Sequence, residues 1–184
     1  MGKTYEALDD KLIAFIEAQK LFFIATAPES GDGLVNLSPK GFETLRVLDS
    51  HTLAYLDLTG SGVETVAHLK DNGRFVLMFC SFADKPMILR LHGRGEALER
   101  GNDEFDRLLP LFPNLLGTRT IIKLNVERIA DSCGWGVPLY EYQGRRDTYP
   151  RYVEQKGGEG LRKGQLKGNM TSLDGLPGLS APSY

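Results

Sequence analysis

Cysteine is scarce in this chain, with two in 184 residues. Cys80 and Cys133 form neither a CxxC pair nor any metal-site spacing, which excludes a disulfide-stapled scaffold and suits a reducing compartment. Histidine is nearly as sparse, and three scattered residues give no metal centre. Charge of one sign is lacking too. The net charge is −2, which argues against a broad basic face for nucleic acid. No apolar run is long enough to span a bilayer, and the N-terminal segment is acidic and amphipathic rather than a signal peptide. A cytoplasmic protein without a membrane partner is the expectation. Asn169-Met170-Thr171 matches a glycan acceptor that would stand idle there. Nothing repeats at a solenoid period, so the length allows one domain with a sizeable core, or a domain plus an arm.

What is present is organised around Leu53 to Gly73, which reads as strand, glycine turn and helix. Leu53, Tyr55 and Leu58 are β-prone, and Gly60 and Gly62 permit a tight reversal. Ser61 followed by Glu64 has the spacing of a capping box, with Val63, Val66, Ala67 and Leu69 as the helix's apolar face. Gly73 suits the left-handed position past its last turn. A glycine turn opening a helix offers free backbone N–H groups to an anion, although such a corner is more often plain architecture. Gly60-Ser61-Gly62 lacks the third glycine of a dinucleotide fingerprint and the Gly-Lys ending of a P-loop.

Around that corner the pattern is mainly β. Tyr5, Leu8, Leu12, Phe15 and Ile16 predict an amphipathic first helix. Residues 21–27 and 34–40 predict one hairpin, and 45–48 with 52–58 a second. Residues 74–82, 87–98 and 120–129 predict further strands, with a short helix capped by Asn102 or Asp103 before Pro110. Hairpins that do not alternate with helices favour antiparallel closure into a small barrel over a doubly wound sheet. Past Cys133, glycines interrupt every period and only 147–156 reads as helical. The expected division is a barrel domain over 1–132 and a C-terminal arm over 133–184. Trp135, Tyr140, Tyr142, Tyr149 and Tyr152 would anchor the arm on another surface such as a second subunit.

The ordered pieces FFIATA, VNLSPKG, AYLDLTGSGVETVAHL, NGRFVLMF and ILRLHGRGEAL resemble the pyridoxamine 5′-phosphate oxidase-like family of FMN-binding split β-barrels. SCGWGVPLYEY and NMTSLDGLPGL look like the arm of an uncharacterised subgroup. The resemblance implies an antiparallel split barrel (mainly β, α+β) with a few peripheral helices, working as a homodimer with FMN at the interface. By position it places Ser38 and Lys40 at the flavin ring, Tyr55, Leu56 and Asp57 on the strand beside the cofactor, and Ser61, Gly62, Glu64 and Thr65 at its phosphate. Trp135 would stack on the ring or pack at the interface.

The departures shape the functional expectation. The B6 oxidases carry an Arg-Lys pair after the turn serine, where this chain has Gly62-Val63. Their second-strand arginine is replaced by Val35 or Asn36, and the arm lacks their Arg-x-His signature. Lys40, Arg46 and Arg90 are then the candidate cations. Vitamin B6 oxidation is not the reading. The expectation is an FMN-dependent oxidoreductase that passes hydride through flavin N5, to or from a small-molecule substrate or a nicotinamide cofactor. The alternative is a non-catalytic dimer that holds flavin, deazaflavin or haem. His68 is expected to be exposed on its helix and His92 to be satisfied locally. A cysteine such as Cys133 is more often a small buried hydrophobe than a nucleophile.

Overall fold

The computed structural model describes residues 2–184. Its elements in chain order are β1 (Thr4–Tyr5), α1 (Asp10–Ala18), β2 (Phe22–Thr26), β3 (Asn36–Lys40), β4 (Leu45–Val47), β5 (Thr52–Leu58), α2 (Glu64–Asp71), β6 (Arg74–Cys80), β7 (Ile88–Leu98), α3 (Asp103–Leu108), β8 (Thr118–Ser132) and α4 (Thr148–Gly168). One antiparallel sheet runs β3-β2-β6-β7-β8-β5-β4, with β1 added on β8. The sheet curls without closing, because the end strands β3 and β4 each pair with one neighbour only. The hairpin pattern points to closure into a small barrel; the antiparallel sheet instead stays open, as the split barrel that the family resemblance implies.

Strand periodicity explains the interior. Ile24, Leu53, Tyr55, Leu77, Phe79, Leu89, Leu91, Ile122 and Leu124 alternate inward and form one core, which α1 covers with Leu12 and Ile16. The opposite faces of β5 and β8 carry Ala54, Leu56 and Ile121 into a second core against Phe105 and Leu108 of α3.

Local chemistry sets most element ends. Helix α1 begins later than Tyr5, which belongs to β1, because the Asp9 carboxylate accepts from Leu12 N–H as a side-chain cap. Asn102 caps α3 by accepting from Glu104 N–H. Gly73 takes a left-handed φ of 70°, as expected after α2. The capping box at the start of α2 does not form. Val63 is the N-cap residue and no side chain caps it.

The arm departs furthest from expectation. Helix α4 extends to Gly168 because Pro150 falls in its first turn, where a missing N–H costs nothing, and Gly157 absorbs a break at φ 60° and ψ 176°. Beyond it the chain docks on its own barrel. Leu179 is buried in the main core with Val63, and its N–H bonds the Asn169 carbonyl. Residues 133–146 instead run over the surface with Trp135, Leu139, Tyr140 and Tyr142 exposed. Cys133 is exposed too, and Cys80 is the buried cysteine. No helix among the described residues is long and apolar enough to cross a membrane.

Candidate functional site

Strand β3 and the β5–α2 turn bound a groove of about 280 Å³, lined by Asn36, Ser38, Lys40, residues 60–65 and Arg119. Alternation on β3 turns Asn36, Ser38 and Lys40 toward the groove and Leu37 away from it, while the Pro39 ring also reaches the groove edge. Thr26 stands opposite Asn36 across the β2–β3 ladder. The Asn36 amide donates to Thr26 Oγ1 at 3.1 Å and to Thr65 Oγ1 at 3.0 Å, and its carbonyl accepts from the Ser38 hydroxyl at 2.9 Å.

A buried ion pair backs one wall, with Arg119 as its lining member. Asp57 and Arg119 are 0% and 4% exposed, and Arg119 Nε donates to Asp57 Oδ2 at 2.8 Å. Thr120 Oγ1 donates to the same oxygen at 3.2 Å, while Lys40 Nζ lies 3.4 Å from Oδ1. Burial alone would raise the Asp57 pKa. The two cations and the donated hydrogen bonds outweigh it and hold the carboxyl below its usual range. Arg119 is opposed by burial and favoured by Asp57, with a net upward shift. A β-bulge brings these groups together. Asp57 pairs with Thr120 and Leu58 with Thr118, so Arg119 is the extra residue of β8 and shares the Asp57 side with Thr120.

The glycine turn is held from behind. Arg119 Nη1 donates to the Gly62 carbonyl at 2.8 Å, and Asn169 Nδ2 donates to that of Gly60 at 3.1 Å. Gln165, fully buried on α4, donates to Thr59 Oγ1 at 2.8 Å. With the carbonyls occupied, the backbone N–H groups of Ser61, Gly62 and Glu64 donate to nothing among the described residues. They add to the positive end of α2. The Glu64 side chain folds over Gly62 and fills the space that a Cβ would need there.

The structure therefore gathers Ser38, Lys40, Ser61, Gly62, Glu64 and Thr65 at one groove, with Asp57 buried behind it and paired with Lys40. Tyr55 lies within the core, its hydroxyl buried and without a hydrogen-bond partner among the described residues. Leu56 faces the second core, away from the groove. Trp135 is 83% exposed and does not line the groove in the single chain. Arg46 is spent on the carbonyls of Leu111, Glu43 and Leu45, and Arg90 bonds Ser132. The cation that joins Lys40 is Arg119, which sequence reasoning missed.

Two histidine expectations are corrected. His68 is fully buried, because its face of α2 packs on β2 and its Nδ1 meets Thr26 Oγ1 at 3.0 Å. His92 is half-buried with Nδ1 unpartnered, and burial together with Arg128 and Arg90 lowers its pKa.

Comparison with known proteins places this geometry. A family model described as pyridoxamine 5′-phosphate oxidase matches residues 8–133. The chain belongs to the pyridoxamine 5′-phosphate oxidase family. It is 36% identical over 194 residues to the pyridoxamine 5′-phosphate oxidase family protein ustO of Aspergillus flavus, covering 95% of this chain and 77% of that protein. Among solved structures, a putative pyridoxamine 5′-phosphate oxidase from Lactobacillus delbrueckii aligns with TM-score 0.55 and 23% identity, over 69% of this chain and 98% of that one. A HupZ variant from Group A Streptococcus aligns with TM-score 0.53 and 21% identity, over 67% and 98% of the two chains. At these identities the structural likeness speaks for the split-barrel fold alone.

Proposed function

We propose that the groove binds FMN with its phosphate at the Gly60–Thr65 corner, and that the chain is an FMN-dependent oxidoreductase. The observation that carries this reading is the set of unpaired N–H groups at Ser61, Gly62 and Glu64, residues that line the same groove as Arg119 and Lys40. Membership of the pyridoxamine 5′-phosphate oxidase family supports the choice of a flavin. FMN, when bound, supplies hydride transfer at N5, to or from a small organic molecule or a nicotinamide cofactor.

The chain's own residues do the rest. Arg119, fixed by Asp57 and the Gly62 carbonyl, is preorganised and needs no reordering to meet an anion. Lys40 stabilises negative charge at the groove mouth. Glu64 swings off Gly62 to admit a phosphate.

At about 280 Å³ the groove falls just under the usual range for small-molecule sites, so a flat ring needs a further wall. A second copy of the chain supplies it in this reading. The end strand β3 and the adjacent arm expose Leu34, Val35, Leu37 and Leu173, an apolar face suited to a homodimer. The 133–146 segment, with Trp135, is a further candidate for that contact.

One observation favours the second reading, a non-catalytic carrier of flavin, deazaflavin or haem. The two cations of the groove, Lys40 and Arg119, are matched by two carboxylates, Asp57 and Glu64, so the phosphate clamp is weakly charged. Purified protein separates the readings. A flavin absorption band that bleaches with NADH or NADPH and returns with an acceptor supports the oxidoreductase. A band that no nicotinamide bleaches favours the carrier, and protein that binds no FMN on addition rejects the flavin.

A further inference from the structure

Behind the groove a line of polar contacts runs from Ser38 to the C-terminal arm. Ser38 Oγ bonds Asn36 Oδ1, Asn36 Nδ2 bonds Thr26 Oγ1, and Thr26 Oγ1 meets His68 Nδ1 at 3.0 Å. The other ring nitrogen, Nε2, is buried, has no hydrogen-bond partner among the described residues, and lies 3.6 Å from Asp174 Oδ2. Asp174 is itself fixed, both of its oxygens accepting from Leu34 N–H at 3.2 Å.

Such a line has two self-consistent directions. A neutral imidazole donates at one nitrogen and accepts at the other, and hydroxyls do both. With the ring hydrogen on Nε2, Nδ1 accepts from Thr26, Thr26 accepts from the Asn36 amide, and the Asn36 carbonyl accepts from Ser38. Ser38 then turns only lone pairs to the groove. With the hydrogen on Nδ1 that constraint is lifted: Thr26 accepts from the ring and keeps its own hydrogen, so the Asn36 side chain, which also donates to Thr65 Oγ1 at 3.0 Å, is free to turn over and let Ser38 donate into the groove. A carboxylate can only accept, and its charge is weakly screened beside a buried ring. Asp174 therefore favours the hydrogen on Nε2.

We propose that Asp174 and His68 are a positioning pair that sets this direction, making Ser38 a hydrogen-bond acceptor, so that the groove selects a ligand bringing an N–H or O–H donor to it. The inference deepens the flavin reading, whose ring carries an imide N–H and gains further N–H groups on reduction. It rests on that reading only for the identity of the ligand, because the direction belongs to the ligand-free chain.

Two measurements test it. Nitrogen-15 NMR of the ligand-free protein is expected to show His68 with its hydrogen on Nε2. Asp174→Leu should shift the ring toward Nδ1–H, and Asp174→Asn, whose carbonyl still accepts, should hold the native form. In FMN titrations, Asp174→Leu should weaken binding by about three- to tenfold, the worth of one hydrogen bond. It should cost almost nothing further in a Ser38→Ala background, whereas general loosening of the arm would weaken both backgrounds alike. Finding Nδ1–H in the native protein, or an equal loss in both backgrounds, overturns the proposal. If no variant binds FMN, the flavin reading fails, and the tautomer result alone decides the direction.

Discussion

Arg119 donates from Nε to Asp57 Oδ2 over 2.8 Å, with both side chains buried where β8 bulges against β5. Removing Asp57 leaves the Arg119 guanidinium buried without its carboxylate, and removing Arg119 leaves the buried Asp57 with only Lys40 and Thr120. Asp57→Asn or Arg119→Met is expected to cost about 3–5 kcal/mol, read from denaturant midpoints. A loss under about 1 kcal/mol would mean that the pair is solvated.

The same pair sets an acid limit. Asp57 is held below its ordinary pKa in the folded chain, so its contribution is complete above the unfolded carboxyl value of about 3.9. That contribution is lost as pH falls toward the folded value. Stability curves across pH 5 to 2 should fall steeply for the native protein and more gently for Asp57→Asn. Parallel curves would contradict this assignment.

This pair also marks the limit of what could be read from the chain. The hairpins and the glycine turn follow from periods of two and from turn residues, while the split barrel and the places of Ser38 and Lys40 come with the family resemblance. Arg119 does not. Strict alternation through Ile122 and Leu124 turns Thr120 inward and Arg119 outward, and the extra residue of a bulge has no sequence signal as clear as a period. His68 escaped for a related reason. A polar residue on a short helix reads as solvated until Thr26 and Asp174, distant in sequence, are seen beside it. The arm was misread because glycines mask a helix whose buried residues, Val153, Leu161 and Gln165, are only three, one of them polar.

Gly157 lies between the two parts of α4 at φ 60° and ψ 176°, a region essentially reserved for glycine, with open space where a Cβ would go. Gly157→Ala therefore tests backbone strain without a clash. It should destabilise the protein by about 1–3 kcal/mol in thermal melts, and an unchanged melt would show that the kink relaxes.

Leu179 pins the arm into the main core beside Val63. Leu179→Ala is expected to cost about 2–5 kcal/mol and to loosen the Gly60 turn that Asn169 supports. Faster hydrogen exchange at residues 59–62 in this variant is the expected sign, and protection equal to the native chain would uncouple arm and turn.

The exposed Val35 and Leu37 face bears on assembly. Val35→Lys with Leu37→Glu should convert the proposed homodimer into monomers by light scattering while preserving the circular dichroism spectrum. Trp135 is the single tryptophan, so its emission reports the same event if the arm joins the interface. A native protein that is monomeric at micromolar concentration would remove the dimer from this account.

The central claim is that the Gly60–Thr65 corner receives a phosphate. Titrating ligand-free protein with FMN and with riboflavin, which differ only by that group, tests it most directly through quenching of flavin fluorescence. FMN is expected to bind tighter by about tenfold or more, the worth of charge-assisted hydrogen bonds to one phosphate. Equal affinities, or tighter binding of riboflavin, would contradict it.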